Sequence, residues 1–456
     1  LMQTIDFGRV RCISRYPLPS NISMSLNRKR GPLYEKFLLD TFRKQGFDLD
    51  VLRDNKSSYH PDKLYELLAL YGRPIKFKPN KFLKDAVSIA FRVFGGDGSL
   101  SPLTLDQTFD HIRLDTSSGV PHFLSKSEAF MLDYDLARGF KSSRDFPPCI
   151  SYFRGQHGES GTKLRLVWGY PLSVTLLESQ YASPLIERFL NRRTPMCFGL
   201  YKYHIASRLV PITNSGVRYN LDFSKFDTSI HPTLIVKAFR ILETHFSEVG
   251  PMWEELINYF IHTRIVMPDG KVYQKGAGVP SGSMFTQLID TIVNFIAVQY
   301  CSLSIFGKPI DEEKILVLGD DSIFGLDKFC PIEVFAKVAS NLGLRLNISK
   351  SQMTRFGSLC WFLGHYWNRG LPDKPEVDVA IRITFPERVI RHMGCEERIA
   401  TRSYAFVADS LCAHKLLSEI HSGSTLIARR YHFREILAHS PLHEGDGNYV
   451  YGVPHY

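Results

Sequence analysis

The chain has 456 residues, 44% hydrophobic and 22% charged, with a net charge of +10. This composition excludes an intrinsically disordered chain and leaves room for one large multi-lobed fold or about three average domains. The basic excess suits a polyanionic partner, and the 12% aromatic content suits either base-stacking surfaces or an aromatic-rich core.

In chain order, the first 60 residues carry the basic clusters Arg28-Lys29-Arg30 and Arg43-Lys44, and a basic-aromatic stretch follows over residues 76–84. Such runs fit a solvated face or a phosphate contact equally well. Prolines and glycines punctuate 70–125 and 145–171, which predicts loops between short elements. Residues 217–222 read as a strand. Pro232 opens a helix whose apolar face is Ile235, Ala238, Phe239, Leu242 and Phe246. Residues 276–282 form a glycine-rich loop. The helix predicted from Met284 to about Gln299 turns Leu288, Ile292, Phe295 and Ile296 inward. Residues 314–318 read as a buried strand, with 323–326 as its hairpin mate across Gly-Asp-Asp-Ser. A helix over 331–341 stops near Gly343, strands are expected at 344–348 and 362–367, and helical patterns run over 386–420 and 424–439. The sum is an α+β fold, antiparallel strands and helices around one sheet, rather than a doubly wound α/β fold.

Two acidic segments stand out. Gly319-Asp320-Asp321 and the far upstream Asp222-Phe223-Ser224-Lys225-Phe226-Asp227 each follow a strand-like run. Strand ends that deliver carboxylates into one space repel unless a cation holds them. Hard divalent ions of the magnesium type bind through one or two carboxylates plus substrate phosphates, and a pair about 3.5–4 Å apart clamps phosphoryl transfer. Each segment alone fits a hairpin turn or a surface run. A third segment, Gly278-Val279-Pro280-Ser281-Gly282-Ser283-Met284-Phe285-Thr286, is a flexible turn at a helix start. Its free N–H groups suit a phosphate, a sugar or an ordinary helix cap.

Taken in this order, the three segments resemble the palm motifs of viral RNA-dependent RNA polymerases. Further segments agree: Thr116-Ser117-Ser118-Gly119-Val120-Pro121 resembles the template-entry loop, and Lys163-Leu164-Arg165-Leu166-Val167 the basic fingers motif. Asn347-Ile348-Ser349-Lys350-Ser351 resembles the segment with a lysine near the leaving group, and Phe362-Leu363-Gly364-His365 the primer-grip hairpin. The resemblance spans about residues 115–367 and is greatest to double-stranded RNA viruses of the partitivirus type, with picobirnaviruses next.

The resemblance implies a right-hand polymerase. Residues 1–60 would bridge fingers and thumb; 61–215, with 245–280 inserted, would form the fingers; 216–244 and 281–367 the palm; and 368–456 the thumb. It implies Asp222, Asp320 and Asp321 as ligands of two magnesium ions, with manganese as a stand-in, and Lys350 as general acid. Lys163 and Arg165 would neutralise the triphosphate. Asp227, Ser281, Gly282 and Thr286 would meet the nucleotide, and Ser117, Ser118, Gly119, Pro121, Phe362, Leu363 and Gly364 the template and primer. Many relatives place an asparagine where this chain has Asp290; Asn294 lies one helical turn on, so either residue completes the ribose reader. The implied partners are RNA template and product, ribonucleoside triphosphates and a viral capsid protein, with work inside the virion or the host cytoplasm. A reverse transcriptase-like enzyme is disfavoured, since no bulky aromatic stands at Asp227. A non-catalytic RNA-binding or capsid-associated protein is disfavoured by the intact aspartates.

Other chemistries find less support. The eight cysteines form no C-x-x-C pair, which argues against a zinc ribbon or a disulfide framework and predicts reduced thiols. Cys395, Cys412, His414 and His421 fit no familiar zinc spacing. Gly95-Gly96-Asp97-Gly98 is no dinucleotide fingerprint, and no G-x-x-x-x-G-K-[ST] is present. No run of about 18 apolar residues stands out, so no membrane span is expected. Leu1-Met2-Gln3 opens without a charged-then-apolar leader, so no secretion signal is expected.

Overall fold

The computed structural model describes residues 5–386 apart from 32, 45, 54–58, 159–160 and 356–359, together with 394, 398–399, 401–402, 405, 449–450 and 453–454. The strands that frame the site are, in chain order, β1 Arg11–Arg15, β2 Cys149–Gly158, β3 Gly161–Gly169, β4 Val217–Asn220, β5 Arg264–Val266 and β6 Lys271–Gln274. They continue with β7 Ile315–Leu318, β8 Asp321–Leu326, β9 Gln352–Thr354, β10 Cys360–Phe362, β11 His365–Asn368 and β12 Leu371–Asp373. The α+β class holds, but the strands build several sheets instead of one. Their orders are β1-β6-β5-β2-β3, β7-β8-β4-β9 and β10-β11-β12. The second is antiparallel throughout, while the first contains one parallel pair, β2 with β5.

The four-stranded sheet obeys the two-residue alternation of a strand buried on both faces. Ile315 and Val317 join the main core with the helix Thr286–Phe306. Leu316 and Leu318 turn to the other face, against Ile205, Leu209 and Ile212 of the helix Lys202–Thr213 and against Phe362 and Trp367. The helix Thr286–Phe306 extends past the predicted end at Gln299, because no breaker appears before Gly307, whose φ of 70° closes it. Its length and average hydropathy would suffice to cross a membrane, but Asp290, Asn294 and Gln299 interrupt it, so it is no unbroken apolar run, and 89% of its apolar window is buried in the protein core.

The helix Pro232–Glu243 starts as expected, with Pro232 in its first turn and His231 Nδ1 accepting from Thr233 N at 3.2 Å. Phe246 is buried but lies beyond its end. Most of the loop expected over 145–171 is strand instead: nine residue pairs join β2 to β3. The helix Phe82–Phe94 likewise replaces part of the loop expected over 70–125.

Two strand expectations are also corrected. Residues 344–348 alternate apolar and polar as a strand would, yet they make only an isolated bridge, Leu346 with Phe223, and the paired strand is β9. Residues 362–367 are interrupted by a turn in which Leu363 and Gly364 have φ of 51° and 74°, the positive pair that a tight hairpin demands. The helical patterns expected over 386–420 and 424–439 lie almost wholly outside the described residues.

The N-terminal segment touches two distant parts of the chain. β1 pairs with β6, while Leu38, Leu39 and Phe42 of the helix Lys36–Lys44 pack on Ala380, Ile381 and Ile383 of the helix Glu376–Thr384. Buried Glu35 accepts from Arg398 Nε at 3.1 Å and Arg402 Nη2 at 2.8 Å beside that contact. The six cysteines among the described residues are free thiols.

Candidate active site

β4 lies between β8 and β9, and its register pairs Asn220 with Ile323. Continuing that register by two residues brings Asp222 opposite Asp321. β7 and β8 pair Leu318 with Asp321, so Gly319 and Asp320 form the two-residue turn, with φ of 58° at Gly319. Gly319 N donates to Thr291 Oγ1 at 2.8 Å, and Asn294 Nδ2 donates to Gly319 O at 2.9 Å, so the central helix braces the turn.

On the other side of Asp222 runs the segment 345–351. Asn347 N donates to Asp222 O at 2.7 Å, Asp222 N donates to Ser351 Oγ at 3.0 Å, and Ser224 N donates to Arg345 O at 2.8 Å. These bonds put Lys350 next to Asp222. The bonds of Asn347 N and Ser224 N are the two bonds of the lone Leu346–Phe223 bridge, where the pairing expected over 344–348 stops. Lys225 adopts the left-handed conformation (φ 55°, ψ 47°) before the short helix Phe226–Ser229 that carries Asp227, a strain of the kind that collects at functional sites.

The Ser281–Thr286 loop is docked on three elements. Val279 N donates to Asp227 O at 2.7 Å, Ser281 Oγ donates to Leu166 O on β3 at 3.1 Å, and a Cβ on Gly282 would lie 1.7 Å from Trp168 O. Ser283 Oγ and Met284 N donate to Glu178 at 2.7 and 2.9 Å. Thr286 Oγ1 donates to Pro280 O at 2.7 Å. Lys163 and Arg165, two apart on β3, share one face of that strand.

Electrostatics draw these parts into one cluster. Burial raises the Asp222 carboxyl; Lys350 and then Lys163 pull it down, while Asp320 raises it. Burial and Asp320 raise Asp227, opposed by Arg165 and Lys163. Burial, then Asp320 and Asp222, raises Asp321. Asp290, 5% exposed, is raised by burial, Asp227 and Asp320, and its Oδ1 has no hydrogen-bond partner. Desolvation and the cations Arg165, Lys225 and Lys350 lower Lys163, while Asp320 pulls it up. Five carboxylates are thus crowded against three lysines and an arginine at one place.

Asp222, Asp320 and Asp321 supply only oxygen donors, the kind a hard divalent cation takes, and their mutual repulsion would be relieved by one. Among the described residues no group of three or more His, Cys, Asp or Glu is placed to hold a metal ion by protein ligands alone.

The remaining sequence-predicted residues divide by exposure. Ser117 and Pro121 are exposed, while Ser118 and Gly119 are buried, with Leu172 N donating to Ser118 O at 2.8 Å. Phe362 is a core residue, so only the Leu363-Gly364 turn reaches outward. Asn294 spends its amide on Gly319 O and not on Asp290. Glu178 and Thr291 escaped the sequence reading, and Asn347 and Ser351 were read only as neighbours of Lys350, without their bonds to the Asp222 backbone. Glu178 had one signal, as the only charged residue between Arg165 and Glu187.

A right-hand arrangement with a carboxylate-bearing hairpin at its centre is the architecture of nucleic-acid polymerases, and the chain belongs to the family of viral RNA-dependent RNA polymerases, which matches residues 50–385. The RNA-directed RNA polymerase of Cryptosporidium parvum virus 1 (strain KSU-1) is 30% identical over 302 residues, 61% of this chain and 57% of that protein. The RNA-directed RNA polymerase of Atkinsonella hypoxylon virus is 31% identical over 169 residues, 34% of this chain and 25% of that protein. The chain therefore spans little more than half, or less, of these relatives. The crystal structure of a human picobirnavirus RNA-dependent RNA polymerase superposes with a TM-score of 0.74 at 18% identity, covering 92% of this chain and 88% of that one. The fold is thus the right-hand polymerase fold.

Proposed function

We propose that the chain performs template-directed RNA synthesis, adding ribonucleotides to a primer 3′-hydroxyl with release of pyrophosphate. The observation that carries this reading is the β4–β8 register, which sets Asp222 beside the Gly319–Asp321 turn. Asp222, Asp320 and Asp321 hold two magnesium ions, or manganese in their place. When bound, such ions supply Lewis-acid activation of the 3′-hydroxyl and neutralise charge on the leaving pyrophosphate.

The protein's own groups do the rest. Lys163 and Arg165 line up along β3 to receive the triphosphate, and Lys350 protonates the leaving pyrophosphate. Asp227, Ser281, Gly282, Thr286 and Asp290 surround the ribose, where a 2′-hydroxyl donates to a carboxylate or to the oxygen of Ser281 or Thr286, whose own protons go to Leu166 O and Pro280 O. The exposed Ser117 and Pro121 guide the template over the buried Ser118 and Gly119, and the Leu363-Gly364 turn above Phe362 meets the product strand.

We assign residues 61–215 with 245–280 to the fingers, supported by the shared sheet β6-β5-β2-β3. Residues 216–244 and 281–367 form the palm, 368–456 the thumb, and 1–60 the bridge between fingers and thumb, supported by the pairing of β1 with β6 and the packing of the helix Lys36–Lys44 on Glu376–Thr384. The partners are RNA template and product, ribonucleoside triphosphates and a capsid protein, and the setting is the virion interior or the host cytoplasm. The kinship with viruses of the partitivirus and picobirnavirus types supports this.

The test is incorporation of labelled ribonucleotides on an RNA template with magnesium or manganese. Activity in the native chain, lost on Asp320→Ala, is the expected result. Incorporation that survives this substitution would place the reaction elsewhere.

A further inference from the structure

The ribose-facing loop is held by a group that the reaction itself does not use. Glu178 lies in the helix Leu172–Asn191, 1% exposed, and applies each carboxylate oxygen to a different donor on consecutive residues of the loop. Oε1 receives Ser283 Oγ at 2.7 Å and Oε2 receives Met284 N at 2.9 Å. Ser283 Oγ in turn accepts from Phe285 N at 3.1 Å, and Thr286 N donates to Ser283 O at 3.2 Å, so the latch reaches the first turn of the central helix. That helix carries Asp290 on its next turn.

Glu178 has no ion-pair partner among the described residues. The titratable groups facing it are Tyr170, Cys149 and Tyr259, each itself buried and held above its usual range by that burial. The buried Lys275 ammonium is engaged by the carbonyls of Phe260, Ile261 and Gly278. An acidic side chain in such surroundings is costly, and an apolar one of similar volume would satisfy packing alone. What an apolar side chain cannot do is receive Met284 N and bond Ser283 Oγ at once. Burial pushes the Glu178 carboxyl up to about 8. The latch works in either protonation state, because the Ser283 hydroxyl can donate to the carboxylate or accept from the acid.

We infer that Glu178 is a positioning residue for ribose selection: it fixes the Ser281–Thr286 loop against Asp227 so that the loop meets the 2′-hydroxyl. This rests on the reading above that this loop and Asp227 face the ribose. Without the latch, Val279 N and Ser281 Oγ still hold the front of the loop and Ser283 keeps its local bonds to Pro280, Phe285 and Thr286, but nothing ties Ser283 and Met284 to the helix Leu172–Asn191.

The experiment compares kcat/KM for a ribonucleotide and the matching 2′-deoxynucleotide on one primer–template, for the native chain, Glu178→Leu, Glu178→Gln, Ser283→Ala and Thr286→Val. In Glu178→Leu the ribonucleotide value should fall roughly tenfold or more, the size of a lost buried hydrogen-bond pair, through KM more than kcat. The deoxynucleotide value should stay put, because that substrate lacks the group the loop reads. Glu178→Gln, which presents one acceptor and one donor, should restore the native ratio, and Ser283→Ala, which removes only the loop's side of one bond, should lower it. A proportional fall for both nucleotides in Glu178→Leu and Ser283→Ala would mean a structural role only and overturns the proposal. If Glu178→Leu does not fold, an unchanged ratio in Ser283→Ala overturns it. Thr286→Val separates the two levels: loss of selectivity there, with none in the Glu178 and Ser283 variants, rejects the latch alone. No loss in any of them rejects the ribose reading with it.

Discussion

Asn294 donates its side-chain amide to the carbonyl oxygen of Gly319, 2.9 Å away, and so ties the middle of the central helix to the turn that presents Asp320. Both residues of this contact sit where solvent does not compete: Asn294 is fully buried. Thr291, one turn earlier, accepts from Gly319 N at 2.8 Å, so both polar groups of that glycine's backbone are held by the same helix face. Asn294→Ala should therefore lower kcat for ribo- and deoxynucleotides alike, by roughly a hundredfold, as expected when a catalytic group shifts by about 1 Å. A change in the ribose-to-deoxyribose ratio with kcat intact would return Asn294 to the sugar pocket.

Gly282 is required for close approach rather than for a special backbone angle. A Cβ there would sit 1.7 Å from the carbonyl oxygen of Trp168, a main-chain atom of β3 that cannot swing aside. Gly282→Ala should destabilise the fold by roughly 1–3 kcal/mol and depress incorporation by pushing the loop off the strand that bears Lys163 and Arg165. Gly276, in the same glycine-rich stretch, has nothing within 4 Å of its virtual Cβ. Gly276→Ala should stay within about 0.5 kcal/mol of the native chain. Chemical unfolding of both variants checks the contrast, and equal losses would remove the steric explanation.

How much of this was legible beforehand depends on whether the signal was local. The hairpin around Gly319–Asp321 could be read, because a short turn between two apolar runs is written in adjacent residues, although Asp321 and Ser322 belong to β8 and the turn is two residues long, not the four of Gly-Asp-Asp-Ser. The start of the helix at Pro232 was readable for the same reason. The strand expected at 344–348 shrank to one bridge because the Leu344, Leu346 and Ile348 alternation carries no record of how far a partner runs alongside, and the pairing is limited to the two bonds about Leu346 and Phe223. The β2–β3 hairpin was missed because glycines at 155, 158, 161 and 169 looked like breaks, while nine residue pairs hold it together. Glu178, Thr291 and Ser351 act on partners up to 129 residues away, which a sequence pattern does not reveal.

Lys350 sits beside Asp222 through the bonds that Asn347 and Ser351 make to that aspartate's backbone. It can act in two ways: as a proton donor to pyrophosphate, or as a fixed charge that offsets the desolvation of Asp222. Two substitutions separate them. Lys350→Leu removes both roles, and Lys350→Arg keeps the charge but gives up its proton far less readily. With proton donation in force, kcat should fall by roughly 10²–10⁴ in Lys350→Leu and remain well below native in Lys350→Arg. Native turnover in Lys350→Arg under single-turnover conditions would leave only the electrostatic role.

The buried carboxyl of Glu178 also sets a pH signature for the whole fold. In the unfolded chain a glutamate titrates near 4.3, whereas burial in the folded chain pushes Glu178 up to about 8. The folded state therefore binds the proton more tightly, and stability falls as pH rises wherever the unfolded chain has lost that proton and the folded one has not. The contribution is fully present below about pH 4.3, declines across the interval between the two values, and is gone above about pH 8. The slope is at most about 1.4 kcal/mol per pH unit, so the whole interval carries no more than about 5 kcal/mol. Glu178→Gln cannot titrate, keeps one donor and one acceptor for Ser283 and Met284, and should flatten this part of the profile. Urea unfolding of the two proteins at intervals from pH 5 to pH 9 gives the comparison directly. The native chain should lose stability relative to Glu178→Gln as pH rises towards 8 and run parallel to it beyond. Curves that stay parallel over the whole range would mean that Glu178 is ionised in the fold at neutral pH, with Ser283 and Met284 as permanent donors to its carboxylate.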